Sequence, residues 1–445
     1  MAGRVQLEIS GPQDAFFTDD PEYTYFVKKF QKHTNFAPFF TDLDVEGEVE
    51  FGNTIRCTIP QDQGDLLKTV SLKFELSSIQ QNLVNNIEGI GYVESIGHAI
   101  IEYAEILIGG KTIQRIPSDF LAIYFDNYVS HTKQENLAKL IGKPPGELSG
   151  TPVSHKSIAG YLGLATSNQK FFVDIPFYFY NNPELAIPVF AIDKQEIEIV
   201  IKLRERSDCV WGYDTDLAAN RNKIKYLGDF VKTKGLIKDM KITTEMVSLV
   251  QDEKDKIKSK KINYAITQIQ EVKDIIPQDA NLNSLVNTTH RLNFKHPVKE
   301  LFFIIQRLRK VLGGHFVTNF DYDSFLQVFA ATNEYTNYEN LQKLSLTLDD
   351  TDVISGAAGG VINLRAVQSG VHHTRTQLCR RYYSYSFALE PERWYPTGQV
   401  NFSLIKDQIL KLTTTPDNEA ARELRVLAQS YNILQVDNGI AKLLY

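Results

Sequence analysis

Nine histidines, three cysteines and many carboxylates are the groups in this chain that could do chemistry. Zinc held by histidine needs a spacing such as H-E-x-x-H, which sets two rings on one helical face. The sequence has no such spacing. His372 and His373 are neighbours, and on a strand neighbouring side chains leave opposite faces, so the two cannot chelate one ion. A surface loop is the expectation for both. Cys57, Cys209 and Cys379 are far apart, form none of the close pairs that zinc sites use, and cannot all pair as disulfides. They read as buried or free thiols in a reducing compartment. The run from Gly356 to Gly360 is not followed by Lys-Ser/Thr, so it is no phosphate loop, and its composition reads as flexible. A G-x-S-x-G elbow is absent from the sequence. Asn287-Thr288-Thr289 and Asn401-Phe402-Ser403 are formal glycosylation acceptors. The opening MAGRVQLEIS has no apolar core of the kind a signal peptide needs, so both are expected to serve structure. No catalytic, cofactor-binding or metal-ligating residue is nominated, no cofactor is implied, and an enzyme is not expected.

Composition narrows the remaining classes. A net charge of −6 leaves no basic surplus of the kind that neutralises many phosphates, so direct nucleic-acid packaging is not expected. No apolar run approaches the roughly 18–20 residues that span a bilayer. The 26 Phe and 21 Tyr, against 3 Met and 2 Trp, suit pleated, half-buried strand surfaces. At 445 residues the chain exceeds the roughly 250–300 residues that one core usually serves, so two domains are expected.

Period-two alternation dominates the pattern. Val70, Leu72, Phe74 and Leu76 alternate with Ser71, Lys73 and Glu75; Ile197 to Leu203 and Leu344 to Leu348 behave similarly. Gly109-Gly110 between two such runs predicts a hairpin with a two-residue turn. Further strands are predicted at 45–51, 54–59, 171–180, 241–250, 264–269, 299–306, 382–389 and 400–412. Many short strands split by turn residues indicate sandwiches or jelly rolls. Helical pattern is confined to insertions. Ser118 is placed to cap a helix with Phe120, Leu121, Tyr124, Phe125 and Tyr128 on one face, and a second short helix is predicted over 134–141. The stretches 117–170, 213–236 and 349–376 exceed the about 12–15 residues of an ordinary loop. Between Gln251 and Lys261 almost every residue is charged, which reads as a solvated linker or short helix between domains.

The halves echo each other. Phe179, Pro183-Glu184, Pro188 and Ile192-Asp193-Lys194-Gln195 lead into one strand; Phe387, Pro391-Glu392, Pro396 and Ile405-Lys406-Asp407-Gln408 lead into another. The two proline pairs share one spacing, which suggests a single domain type used twice. Proline cannot donate to a ladder, so it marks strand ends and corners.

Longer motifs run through both halves. Phe17-Thr18-Asp19-Asp20-Pro21-Glu22-Tyr23-Thr24-Tyr25-Phe26 is followed by Phe30-Gln31-Lys32-His33-Thr34-Asn35-Phe36-Ala37, Gly47-Glu48-Val49-Glu50-Phe51-Gly52, Gly64-Asp65-Leu66-Leu67 and Ile108-Gly109-Gly110-Lys111. The second half carries Leu292-Asn293-Phe294-Lys295-His296-Pro297, Tyr385-Ser386-Phe387-Ala388-Leu389-Glu390-Pro391, Pro396-Thr397-Gly398-Gln399-Val400-Asn401-Phe402-Ser403, Tyr431-Asn432-Ile433-Leu434 and Gly439. In this order the motifs resemble the major capsid proteins of nucleocytoplasmic large DNA viruses. Asp19 stands where that family usually has Gly, and Leu404 where it commonly has Arg.

The resemblance implies an all-β double jelly roll, two consecutive eight-stranded antiparallel sandwiches with short helices in loop insertions. Residues 1–250 would form the N-terminal jelly roll, with about 1–40 at the inner face of the shell. Residues 251–262 would be the charged linker, and 263–445 the C-terminal jelly roll. It implies a homotrimer, a pseudo-hexagonal capsomer that tiles an icosahedral shell assembled in the host cytoplasm. The implied partners are neighbouring capsomers, minor capsid proteins beneath the shell and the internal viral membrane, with no direct nucleic acid. The basic and aromatic stretch Lys28–Phe36 is the candidate for the inner contacts. The alternatives are a minor or vertex capsid protein of the same fold and a glycan-binding β-sandwich attachment protein.

Overall fold

The computed structural model describes residues 4, 9, 11–28, 30–79, 87–143, 168–214, 223–225, 236–279, 285–308, 340–375, 382–416 and 421–445. Met1–Phe36 and Ala37–Tyr445 are separate compact units. The first holds a short helix, Pro12–Thr18, with proline at its first turn and Asp14 accepting from the Gly11 amide. Phe16 and Phe17 on that helix are exposed, as are Tyr23, Tyr25 and Phe26 after it.

In the larger unit the strands, counted from the one that starts at Phe36, run in two series. The first is β1 (Phe36–Asp44), β2 (Thr54–Thr58), β3 (Leu66–Leu76), β4 (Ile87–Tyr92), β5 (Ile101–Ile108), β6 (Lys111–Pro117), β7 (Gln169–Asp174), β8 (Ile187–Pro188), β9 (Ile197–Leu203), β10 (Val210–Asp214), β11 (Lys223–Lys225) and β12 (Ile237–Leu249). The second is β13 (Ile262–Ile276), β14 (Val286–Arg291), β15 (Pro297–Arg307), β16 (Leu341–Leu348), β17 (Thr351–Ile354), β18 (Tyr383–Ser386), β19 (Val400–Asn401), β20 (Gln408–Thr414), β21 (Arg422–Asp437) and β22 (Ile440–Leu443).

One sheet of the first series has the order β1-β12-β3-β7, with β8 added to β3; the other is β2-β9-β5-β6. The second series gives β13-β21-β15-β18, with β19 added to β15 and β22 to β21, and β14-β20-β16-β17. Read in chain order the two patterns are the same. Strands β4, β10 and β11 form an additional small sheet in the first half. Each half is a jelly roll: chain-distant strands pair antiparallel, and the first strand lies beside the long strand near the end of the series, β1 beside β12 and β13 beside β21.

The correspondence reaches single residues. Lys68 is the bulge residue between β3 and β12, and Lys299 is the bulge residue between β15 and β21. Ile113 is skipped in the pairing of β6 with β5, and Val353 in the pairing of β17 with β16. The hairpin at Gly109-Gly110 turns with φ of +57° and +73°; its counterpart turns at Asp349-Asp350 with φ of +43° and +65°. Two left-handed residues match the strand twist, which is why glycine or aspartate stands there.

The alternating residues Val70, Leu72, Phe74 and Leu76 are buried in the first core, as period two requires. In the second half Leu301, Phe303 and Ile305 enter that half's own core, whereas Phe302 and Ile304 join the core of the first half. Strand β15 is therefore buried on both faces, which explains its unbroken apolar run.

Several predicted elements are corrected. Residues 45–51 form no strand: Glu46 makes one bridge to Arg56, and Gly47 and Gly52 have positive φ. The strand predicted over 171–180 ends at Asp174, and that over 400–412 is broken after Asn401 by the turn Phe402–Leu404. The predicted helices are Ser118–Asn127 and His131–Ile141. Ser118 is not the cap: Pro117 is, and the Ser118 hydroxyl donates to the His98 carbonyl at 3.0 Å. The charged stretch after Val250 is a helix, Gln251–Lys258, tied back by Lys254 to Asp65 at 2.8 Å. Residues 144–167, 215–222 and 226–235 of the long insertions lie outside the described residues.

The glycine run is ordered rather than flexible. The Leu344 amide donates to the Gly359 carbonyl at 2.9 Å, and Gly360 bridges to Lys343. A Cβ at Gly359 would overlap the Leu344 carbonyl oxygen, so the composition serves close backbone approach. Gly359→Ala is expected to destabilise the fold by about 2 kcal/mol, seen as a lower midpoint in urea unfolding. Gly110→Ala meets no atom at its Cβ position, so its cost is confined to the left-handed backbone at φ +73°.

Candidate functional site

The helix Ser118–Asn127 follows directly from β6 and carries its aromatic face onto the second half. Phe120 meets Phe302 edge-on with ring centroids 6.3 Å apart. Tyr124 and Tyr128 stack at 4.9 Å. Burying one such side chain contributes about 2 kcal/mol, and an aromatic pair adds roughly 1 kcal/mol. Polar ties surround this contact. Asp119 lies 2.8 Å from Arg425 Nε, the Tyr382 hydroxyl donates to Asn127 Oδ1 at 2.7 Å, and Gln268 Nε2 donates to the Ile113 carbonyl at 2.6 Å.

A buried charge cluster lies at the heart of the junction. His373 Nε2 is 2.5 Å from Glu300 Oε1, and His373 Nδ1 is 3.2 Å from Glu392 Oε1. The side chains of His373 and Glu300 are 0% and 1% exposed. The Tyr128 hydroxyl, from the first half, donates to Gln429 Oε1 at 3.0 Å and faces Glu300 Oε2 at 3.4 Å. The Thr374 amide and hydroxyl both donate to Glu392. Lys299, held inward by its bulge, donates to the Pro391 carbonyl at 2.6 Å and stands over the Tyr431 ring. Beside the cluster is a cleft of about 200 Å³, lined by Tyr124, Tyr178, Tyr180, Trp394, Lys299 and Glu392 among others.

The electrostatics follow from burial and pairing. Burial opposes a charge on His373, but Glu300 and Glu392 outweigh it and raise the imidazolium to about 9. Burial likewise opposes the charge on Glu392, yet His373 and Thr374 hold its carboxyl below the usual value. Lys299 is lowered to about 8 by burial, against the pull of Glu300 and Glu392. Burial, then Glu300, drives the Tyr128 phenol well above its ordinary range. Two carboxylates facing one imidazolium and one ammonium make a compensated group. It can hold the halves in register; it presents no activated nucleophile.

The sequence placed His372 and His373 on a surface loop. The structure corrects this for His373, whose ring is enclosed by Glu300, Glu392, Tyr128 and Phe302 after the short helix Gln368–His372. His372 turns away to the Leu389 carbonyl at 3.0 Å. Nothing in the local sequence announces the cluster, because its carboxylates come from β15 and from the Pro391-Glu392 corner. Cys57 and Cys209 are buried, and burial raises the Cys57 thiol to about 11, which makes it inert. Cys379 lies outside the described residues. Asn287 Oδ1 accepts from Thr413 Oγ1 at 2.8 Å, and Asn401 Oδ1 from the Ser403 amide at 3.1 Å. Among the described residues no group of three side chains is arranged to hold a metal ion, and no helix is long and apolar enough to cross a membrane.

Two jelly rolls in tandem, locked face to edge, define a double jelly-roll protein. Two family models match the chain: "Major capsid protein N-terminus" over residues 24–229 and "Large eukaryotic DNA virus major capsid protein" over residues 253–442. The major capsid protein of Phaeocystis pouchetii virus is 24% identical, with 100% of this chain and 99% of that protein covered. That of Paramecium bursaria Chlorella virus 1 is also 24% identical, with both chains covered in full. A chain from the capsid of that virus superposes with a TM-score of 0.73 at 20% identity, covering 95% of this chain and 100% of the other. The Faustovirus major capsid protein gives 0.69 at 11% identity, covering 98% and 96%. The chain belongs to the major capsid protein family of large eukaryotic DNA viruses.

The junction makes a pH prediction. A raised histidine pKa contributes stability that is complete below about 6.5 and is lost as pH rises through 9. Lys299 acts in the opposite sense, its burial cost easing from about 8 toward 10.5. Between pH 6.5 and 8 the histidine therefore governs the junction's response. The melting temperature should fall across that interval, and His373→Gln should remove most of the slope. At pH 6 the variant should lose about 3 kcal/mol, the usual cost of breaking a buried pair. Calorimetric scans at half-unit pH steps measure both.

Proposed function

We propose that the chain is the structural subunit of an icosahedral large-DNA-virus shell, assembling as a homotrimer into pseudo-hexagonal capsomers. The observation that carries this reading is the repetition of one jelly-roll topology in tandem. Three copies supply six like units, which approximate a hexagon, and hexagons tile a flat facet. Membership of the capsid protein family supports the same reading. The shell is the chain's place in the virion, with assembly in the host cytoplasm. Its role is architectural rather than catalytic.

Three parts follow from the sequence reading: a first jelly roll over 1–250, a charged linker over 251–262 and a second jelly roll over 263–445. Strands of the two halves share no sheet among the described residues, which supports this division. The unit Met1–Phe36, with exposed aromatic side chains and Lys28 and Lys32, is suited to contacts with minor capsid proteins and with the internal viral membrane. The net charge of −6 speaks against direct contact with nucleic acid.

Light scattering on the purified protein should report a species near 152 kDa, three times the 50.6 kDa chain. Electron images of it should show three-fold particles with hexagonal outline. A stable monomer at micromolar concentration would overturn the proposal.

A further inference from the structure

The cleft beside the charge cluster carries more hydrogen-bonding capacity than the chain uses. Gln114 on β6, Tyr178 in the segment after β7, Thr267 on β13 and Gln429 on β21 all line it. Alternation along β13 brings Ala265 to the same side as Thr267, and the small alanine leaves the space open. Gln114 Oε1 accepts from the Tyr178 amide at 2.8 Å, and Gln429 Oε1 accepts from the Tyr128 hydroxyl at 3.0 Å. Among the described residues, the Nε2 groups of both glutamines and the hydroxyls of Thr267 and Tyr178 have no partner. Gln114, Tyr178 and Gln429 are only 2%, 5% and 6% exposed. Buried polar groups are almost always paired, so orphans gathered around one cavity mark a place that something polar fills.

The charged groups at the cleft are already committed. Lys299 donates to the Pro391 carbonyl, Glu392 accepts from His373 and Thr374, and Arg393 pairs with Glu390. What remains free is neutral. Burial drives the Tyr178 phenol well above its ordinary range, so it stays protonated and can both donate and accept. The walls are aromatic. Tyr124 and Tyr180 meet edge-on with ring centroids 6.1 Å apart, and Trp394, 40% exposed, stands at the mouth. The volume of about 200 Å³ falls below the roughly 300–1,000 Å³ of drug-sized sites, which suits one ring rather than a chain.

We propose that this cleft binds one neutral sugar ring, a hexopyranose, with its hydroxyls on Gln114, Tyr178, Thr267 and Gln429 and its C–H face against Tyr180 and Trp394. The chemistry agrees on each count. Pyranose hydroxyls both donate and accept, as the orphaned amides and hydroxyls require. The C–H face of the ring is apolar and packs on an aromatic side chain whose polar end stays wet. A charged ligand would find no free counter-ion, and an apolar one would bury the orphans unpaired. The site draws on strands of both halves, so an occupant also stabilises their junction by mass action.

Thermal unfolding of the purified full chain with D-glucose, D-galactose, D-mannose and N-acetyl-D-glucosamine tests this. At least one sugar should raise the melting temperature in a saturable way, and its ring protons should receive saturation transfer from the protein in NMR spectra. Sorbitol, the open-chain counterpart of glucose, controls for the general stabilisation by excluded polyols. Tyr178→Phe removes only the orphan hydroxyl. Without sugar this variant should melt at or above the wild type, and its affinity should be about five-fold weaker, the worth of one hydrogen bond. Trp394→Ala, at an exposed position, should abolish binding and leave the fold intact. A chain that responds to these sugars no more than to sorbitol has a cleft that holds only water, which overturns the proposal. Equal affinity in the wild type and both variants would put the sugar elsewhere and overturn it too. A Tyr178→Phe chain that melts well below the wild type would show that the hydroxyl has a partner in the chain, with the same result.

Discussion

The second half's inner sheet is buried on both faces, and most of the molecule's organisation depends on that constraint. One face of β15 and β21 closes over its own jelly roll through Leu301, Phe303 and Val426. The other receives the helix Ser118–Asn127 and joins the first half's core through Phe302, Ile304 and Leu427. A sheet sealed on both sides needs backbone ladders without gaps, and β21 runs unbroken from Arg422 to Asp437 between β13 and β15. The first half's equivalent sheet has one face only. Its outer side keeps Lys68 paired with Glu245 and Ser71 bonded to Asp174. The two halves thus share a topology and differ in what each outer face must meet.

That difference decides what could be read in the sequence. The alternation at Val70 to Leu76 was legible because one face of β3 is wet. The run Leu301-Phe302-Phe303-Ile304-Ile305 gave no period, since both faces of β15 are dry. The Gly109-Gly110 hairpin was plain, whereas its twin at Asp349-Asp350 fell inside a stretch taken for an insertion. Aspartate tolerates the left-handed conformation but does not announce it as glycine does. The proline repeat signalled the duplication without keeping its register: Pro188 ends β8 opposite Leu66, and Asn401 holds the equivalent place opposite Pro297. The glycine run misled because flexibility and close backbone approach use the same residue. The cluster around His373 left no trace at all, for its partners arrive from β15 and from the Pro391-Glu392 corner.

Charged groups at a dry junction call for a physical reason. Apolar side chains of similar volume would often hold the halves as well or better, because each ion gives up water on burial. Apolar contacts, however, are tolerant of sliding, and a jelly roll offers several similar ridges to its neighbour. Glu300, His373 and Glu392 pair with one another within the second half, and Tyr128 supplies the first half's donor to Gln429 and Glu300. Any displacement of the helix Ser118–Asn127 by a residue would remove the Tyr128 hydroxyl from Gln429 and Glu300 and leave buried acceptors short of a donor. The cluster therefore fixes register while Phe120 and Phe302 supply most of the affinity. A shell subunit has particular need of that division, since an error of a few degrees between its halves would be passed on to every copy set beside it.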